Sequence, residues 1–150
     1  VQDSGAAYAF DLQGGVWSQR TYIKASNTAP ASHFGISLAL SFDGRQLAIG
    51  ADSESNSGLG FNANYAADDQ AVFGSGAVYM LQRVGIAWQI NRYMKASNAN
   101  AGDLFGSALA LSADGTTLAV GARYEDSNAL GLGGNPNDAA ASEAGAVYLF

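Results

Sequence analysis

The sequence contains no cysteine, only two prolines and one histidine, and charged residues make up 13% of its 150 positions. Disulfides, thiolate metal sites and a cysteine nucleophile are therefore excluded. The net charge is −6, and the seven basic residues are scattered rather than clustered. Nucleic acid and anionic membrane surfaces are poor partners for such a chain. No apolar run approaches the roughly 18 residues of a membrane-spanning helix.

Apolar residues and small residues make up most of the chain. The apolar fraction is 48% and glycine alone accounts for 19 positions. That composition suits tight turns and closely packed strands. It does not suit long solvated helices, which need charged residues on their outer faces.

An internal repeat organises the whole chain. Comparing residues 4–54 with residues 75–125 gives 24 identities in 51 positions at a constant offset of 71. The Gly-Ala-Val-Tyr motif at 76–79 recurs at 145–148, with an offset of 69. We therefore divide the chain, treated as one repeat region over 1–150, into units 4–74 and 75–143 and a partial third unit 144–150.

The residue pattern of each repeat predicts four short strands. Two apolar runs separated by Asp-Gly are a strong hairpin signal, and the strands that we name A and B flank Asp43-Gly44 and Asp114-Gly115. Strand C begins at Gly76, and strand D runs over 88–96 with Trp88, Ile90, Arg92 and Met94 predicted on one face. The strand order is C-D-A-B-C-D-A-B-C. An all-β fold of propeller blades follows, with two four-stranded antiparallel repeats and one extra strand.

Several motifs together resemble the FG-GAP repeat, in the bacterial branch of that family. They are Phe34-Gly35 with Gly50-Ala51, Phe105-Gly106 with Gly121-Ala122, the strands starting at Gly76 and Gly145, and the segments 22–27 and 93–98. The resemblance covers essentially the whole chain. It implies an integrin-α-like β-propeller, usually extracellular, that serves in adhesion and ligand binding.

The resemblance implies calcium as a possible cofactor, because family members often bind it in the loop between strands A and B. Here only Asp43-Gly44 and Asp114-Gly115 remain of that loop. A two-residue turn cannot supply the six to eight oxygens that calcium takes. We interpret both turns as plain hairpins.

The long loops after strand B carry the candidate site residues. Loops of this length on a rigid scaffold often bind ligands. We consider Asp52, Glu54, Glu125 and Asp126 as candidate ligands of a calcium ion, the alternative being a solvated polar loop. The candidate binding residues are Asp68, Asp69, Asp138 and Glu143.

Five repeated or solitary side chains have a structural interpretation that we favour. Trp17 and Trp88 are expected to pack between blades rather than to stack on sugars. Lys24 and Lys95, the only lysines, are expected to form an ion pair or a backbone-carbonyl contact between blades. His33 is replaced by Leu104 in the other copy and is expected at the surface. With no thiol and no second histidine, we expect no enzyme.

Two blades and a strand fall short of the four or more blades of known propellers. We therefore expect either part of a larger propeller or a subunit that completes its fold with other copies. The chain starts at Val1 without an initiator Met, which fits a processed or excerpted segment.

Three functions stay open at this point. The first is an extracellular or cell-surface binding or adhesion module with a protein or glycan ligand. The second is a self-assembling structural subunit of a surface fibre or ring. The third is an accessory propeller segment of a larger secreted hydrolase.

Overall fold

The computed structural model describes residues 1–61 and 69–150. Nine strands form within these residues, and none of the described residues forms a helix that is long and apolar enough to cross a membrane. The strands are β1 Ala7–Gln13, β2 Val16–Ile23, β3 Ser37–Leu40, β4 Gln46–Ala51, β5 Ala77–Val84, β6 Ala87–Met94, β7 Phe105–Leu111, β8 Leu118–Ala122 and β9 Ala146–Leu149.

The strands form three antiparallel sheets of unequal size. The first sheet contains β1 and β2, the second contains β3 to β6 in sequence order, and the third contains β7 to β9. The all-β fold of propeller blades is confirmed, and the strand order is the predicted one. Each 71-residue repeat extends across two sheets. Its strands C and D belong to one sheet, and its strands A and B belong to the next sheet.

The Asp-Gly turns close hairpins, as the sequence predicts. Leu40 pairs with Leu47 across the first turn, and Gly44 has a φ of 68°, a left-handed conformation that glycine adopts without steric cost. The second turn joins Leu111 to Leu118 in the same way. These turns hold β3 against β4 and β7 against β8.

The alternation predicted for strand D is wrong at its end. Met80 pairs with Arg92 but Leu81 pairs with Ile90, so Asn91 is an extra residue in β6. Such a β-bulge shifts the alternation by one position. Trp88 and Ile90 consequently face the first core cluster, whereas Met94 faces the second.

The core lies between neighbouring sheets in two clusters. They include Ile23, Phe34, Ile49, Tyr79, Leu81 and Tyr93 between the first and second sheets, and Val78, Met94, Phe105, Leu118 and Val120 between the second and third. Aromatic rings meet edge to face in both, with centroids 5.1 Å apart for Phe34 and Tyr79 and 5.3 Å apart for Phe105 and Tyr148. Edge-to-face contacts of this kind add to the stabilisation from apolar burial.

Neighbouring sheets approach most closely where a glycine crosses a phenylalanine. Gly76 forms a parallel bridge with Phe105, and Gly5 forms the equivalent bridge with Phe34. A Cβ at Gly76 would lie 2.0 Å from the carbonyl oxygen of Phe105, and its φ is 83°. Any side chain would therefore clash with backbone, which explains why the sequence repeats the glycine.

Replacing Gly76 with alanine should separate the second and third sheets. We expect Gly76→Ala to lower the free energy of unfolding by about 3 kcal/mol, from a backbone clash and a strained φ together. Gly85→Ala is the control, because Gly85 has a φ of 64° but open space around its Cβ position. That variant should lose only about 1 kcal/mol. Equal losses in urea unfolding would contradict the close-approach explanation.

Candidate functional site

A buried ion pair lies at the start of the loop that follows β4. Lys95, just after β6, places its Nζ 2.7 Å from Glu54 Oε2 and 2.7 Å from Ser75 Oγ. Glu54 is 1% exposed and Lys95 is 0% exposed. Each of these buried charges is stabilised by the other, because removing either one leaves an uncompensated charge that is shielded from water.

An asparagine connects this ion pair to the preceding sheet. Asn27, which follows β2, donates from Nδ2 to Glu54 Oε1 at 2.8 Å, and the Tyr79 hydroxyl donates to the Asn27 side-chain oxygen. The next sheet boundary repeats the arrangement. Asn98 Nδ2 donates to Glu125 Oε1 at 2.8 Å, and the Tyr148 hydroxyl donates to Asn98 Oδ1 at 2.6 Å.

The lysine contacts are of the predicted kinds but lie inside a sheet rather than between sheets. Lys95 pairs with Glu54 of its own sheet. Lys24 donates to Ser4 Oγ at 2.6 Å and to the carbonyl oxygen of Gly5, again within one sheet. Asn27, in contrast, reaches the next sheet; sequence reasoning missed this contact, although the repeated Lys-Ala-Ser-Asn segment was its signal.

Lys95→Met should destabilise the chain strongly. It leaves the buried Glu54 carboxylate without its cation, and we expect a loss of about 3–5 kcal/mol in urea-induced unfolding. Adding Glu54→Gln removes the stranded charge while keeping an acceptor for Asn27. The double variant should therefore be more stable than Lys95→Met alone, and a double variant that is no more stable would contradict the charge-pair account.

The four candidate calcium ligands are engaged with protein groups. Asp52 Oδ1 lies 3.1 Å from His33 Nδ1, and its Oδ2 lies 3.9 Å from Arg123 Nη2. Asp126 Oδ1 accepts the Glu143 backbone N–H at 2.7 Å. Among residues 1–61 and 69–150, no three carboxylate or histidine side chains come together as a metal site. Calcium at these residues stays a prediction.

Asp69 and Asp138 occupy equivalent positions in the two long loops. Asp69 Oδ1 accepts the backbone N–H of Ser57 at 2.9 Å, and Asp138 Oδ1 accepts that of Asn128 at 3.0 Å. Both carboxylates therefore close the base of their loop. The Ser57 hydroxyl, followed by backbone donors, lowers the pKa of Asp69. Asp68, the remaining candidate, lies outside the described residues.

The A–B turns do not fit calcium. Asp114 accepts hydrogen bonds from the Ser112 hydroxyl at 2.6 Å and from the Thr116 N–H at 3.1 Å. These bonds, the Ser112 bond first, hold the pKa of Asp114 at about 2. Asp43 has the same partner types in Ser41 and Arg45. A single carboxylate that already accepts turn hydrogen bonds does not provide the oxygen shell of a calcium site.

The two tryptophans differ in environment despite their equivalence. Trp88 is partly buried and packs against the first core cluster, as expected for a residue between blades. Trp17 is 67% exposed on the outer face of the first sheet. His33 lies near the surface, and its ring contacts Asp52 and Ser53.

A shallow groove separates the long loop of the third sheet from the segment that follows β6. It has a volume of about 340 Å³. Its lining is rich in amide and hydroxyl groups and consists of Leu59, Ser97–Asn100 and Pro136–Ala139. Of the predicted binding residues that the structure describes, Asp138 lines this groove.

Comparison with protein families found a similarity over the second part of the chain. Residues 88–150 match a family model described as FG-GAP repeat. The resemblance to the FG-GAP repeat noted from the motifs is confirmed over these residues, and residues 4–54 carry the same motifs at an offset of 71. The bacterial branch of the family stays a prediction. The chain is thus built of β-propeller blades, and residues 88–150 are similar to the FG-GAP repeat. A search of curated proteins found no match.

Proposed function

We propose that the chain is a non-catalytic binding module of the integrin-like propeller type, which acts outside the cell or at its surface. The FG-GAP match supports this class, because such repeats are typically extracellular. The sheets supply a rigid frame, and the described parts of the two long loops border one groove. Loops on such a frame commonly bind ligands.

The observation that carries the proposal is the groove between neighbouring loops. Asn98, at its edge, is held by the Tyr148 hydroxyl and by the Glu125 carboxylate, so the groove has a fixed wall. Asn100 and Asn137 are exposed and offer amide groups toward solvent. Donors and acceptors held on a fixed frame suit the hydroxyl groups of a glycan or the backbone of a protein ligand.

Filling the groove should weaken binding. Ala139 is exposed and lines the groove, so Ala139→Arg should weaken binding at least about tenfold by occupying the space. The probes are a printed glycan panel and immobilised fibrinogen, collagen and fibronectin.

The control for this test lies at the opposite end of the strands. Ala87 is exposed at the start of β6, and Ala87→Arg adds the same side chain away from the long loops. It should leave binding within about twofold of wild type. The groove assignment is wrong if both variants bind alike, and the binding function is wrong if no probe binds the wild-type chain.

Self-assembly is a second candidate function, and the outer face of the first sheet favours it. Tyr8, Phe10, Trp17 and Tyr22 are each more than half exposed there. An apolar face of this kind marks an interaction site. A molar mass that stays at the 15.4 kDa of one chain at every concentration would contradict this candidate.

A further inference from the structure

The buried Glu54 carboxylate binds an amine with one oxygen and an amide with the other. Lys95 Nζ lies 2.7 Å from its Oε2, and Asn27 Nδ2 donates to its Oε1 at 2.8 Å. A single carboxyl group therefore brings together the amine of a lysine and the side-chain amide of an asparagine. A lysine amine is a nucleophile toward carbonyl carbon, and the carbon of this amide carries a nitrogen that can leave as ammonia.

The carbonyl oxygen of the same amide also has a hydrogen-bond donor. The Tyr79 hydroxyl donates to Asn27 Oδ1. A donor at this oxygen stabilises the negative charge that develops there when a nucleophile attacks the carbonyl carbon. Edge-to-face contacts hold the Tyr79 ring, with centroids 5.1 Å from Phe34 and 5.2 Å from Tyr93. The hydroxyl is thus fixed in position on the amide.

Burial favours the reactive form of the amine. Asn27, Glu54, Tyr79 and Lys95 are all buried, and Tyr79 belongs to the first core cluster. Charges are costly in such surroundings. Transfer of a proton from Lys95 Nζ to Glu54 Oε2 gives two neutral groups and removes that cost. The neutral amine is the nucleophile, and the exclusion of water protects the amide carbon from hydrolysis.

The lysine side chain allows the approach that a reaction between the two groups needs. Reacting atoms have to come within about 3–3.5 Å of each other. Lys95 has a flexible four-carbon stem. Its Nζ is held by Ser75 Oγ, 2.7 Å away, as well as by Glu54. The amine therefore stays beside the carboxyl group that also binds the Asn27 amide.

We propose that Lys95 and Asn27 become joined by an isopeptide bond, with Glu54 as the catalytic base and acid. The Lys95 ammonium group gives one proton to Glu54 Oε2, and the neutral amine attacks Asn27 Cγ. The nitrogen of the new bond loses a second proton, which the Glu54 carboxyl group relays to Asn27 Nδ2. The Cγ–Nδ2 bond then breaks and ammonia leaves. The products are an amide between Nζ and Cγ, a protonated Glu54 and one ammonia, and atoms and charge balance.

The bond would join the first sheet to the second covalently. Asn27 follows β2 and Lys95 follows β6, more than 60 positions later in the sequence. A cross-link restricts the unfolded chain most when it closes a long loop. The sequence has no cysteine, so a disulfide cannot supply this restraint. The cross-link is independent of the binding function proposed above.

The mass of the intact chain tests the bond directly. Its formation releases one ammonia, so the purified chain should weigh about 17 Da less than its sequence predicts. Trypsin should cut after Lys24 but not after Lys95, and the peptides 25–45 and 93–123 should remain joined. Fragmentation of the joined peptides should locate the bond at Asn27 and Lys95.

Three variants separate the roles of the side chains. Asn27→Ala removes the amide and should keep its full sequence mass. Glu54→Gln keeps an acceptor for Asn27 but cannot take up a proton, so it should also keep its full mass. Tyr79→Phe keeps the ring and should form the bond at least about tenfold more slowly, measured by mass after cell-free synthesis. Circular dichroism confirms that each variant is folded.

Asn98→Ala is the matched control. Asn98 donates to Glu125 and accepts from Tyr148, as Asn27 does with its own partners, but it takes no part in the proposed bond. This variant should lose ammonia as wild type does. A wild type that keeps its full sequence mass after prolonged incubation at neutral pH overturns the proposal. A cross-link between other residues also overturns it, and so does a Glu54→Gln variant that cross-links as completely as wild type.

Discussion

The close approach of backbone between neighbouring sheets is the constraint on which the rest of the fold depends. At Gly76 and Phe105, and again at Gly5 and Phe34, two backbone segments meet at distances that exclude a Cβ. Because the backbones meet there, the phenylalanine rings enter the core between sheets, where each contacts a tyrosine of its own sheet edge to face. The repeated glycines Gly5 and Gly76, together with the phenylalanines whose backbone they cross, thus set the spacing of the blades.

The buried Glu54–Lys95 pair lies beside one of these crossings and depends on it. The Gly76 N–H donates to the Glu54 carbonyl at 2.9 Å, so the crossing strand also positions the carboxylate. Asn27 then joins the pair to the preceding sheet. The same combination of crossing glycine, buried charge pair and asparagine therefore explains how these two neighbouring sheets are held together.

The repeat made the strand order predictable, because 71-residue periodicity and the Asp-Gly turns mark the same four strands twice. The bulge at Asn91 was not predictable, since nothing in the alternation of strand D signals an inserted residue. The partner of Lys95 was not predictable either. Glu54 lies 41 positions away in the sequence, and strand pairing brings the two residues together. The loop carboxylates Asp69 and Asp138 were identified as site residues, but the structure uses their oxygens to close loops.

Native-state hydrogen exchange at the amides of Phe34 and Phe105 tests the central claim most directly. These N–H groups donate across the sheet boundary to the carbonyl oxygens of Ser4 and Ser75, each at 3.0 Å. If the crossings hold the sheets together, both amides exchange only through global unfolding, with the same urea dependence as the β4–β5 amides. Exchange of Phe34 and Phe105 through local opening, while the β4–β5 amides stay protected, would contradict the account.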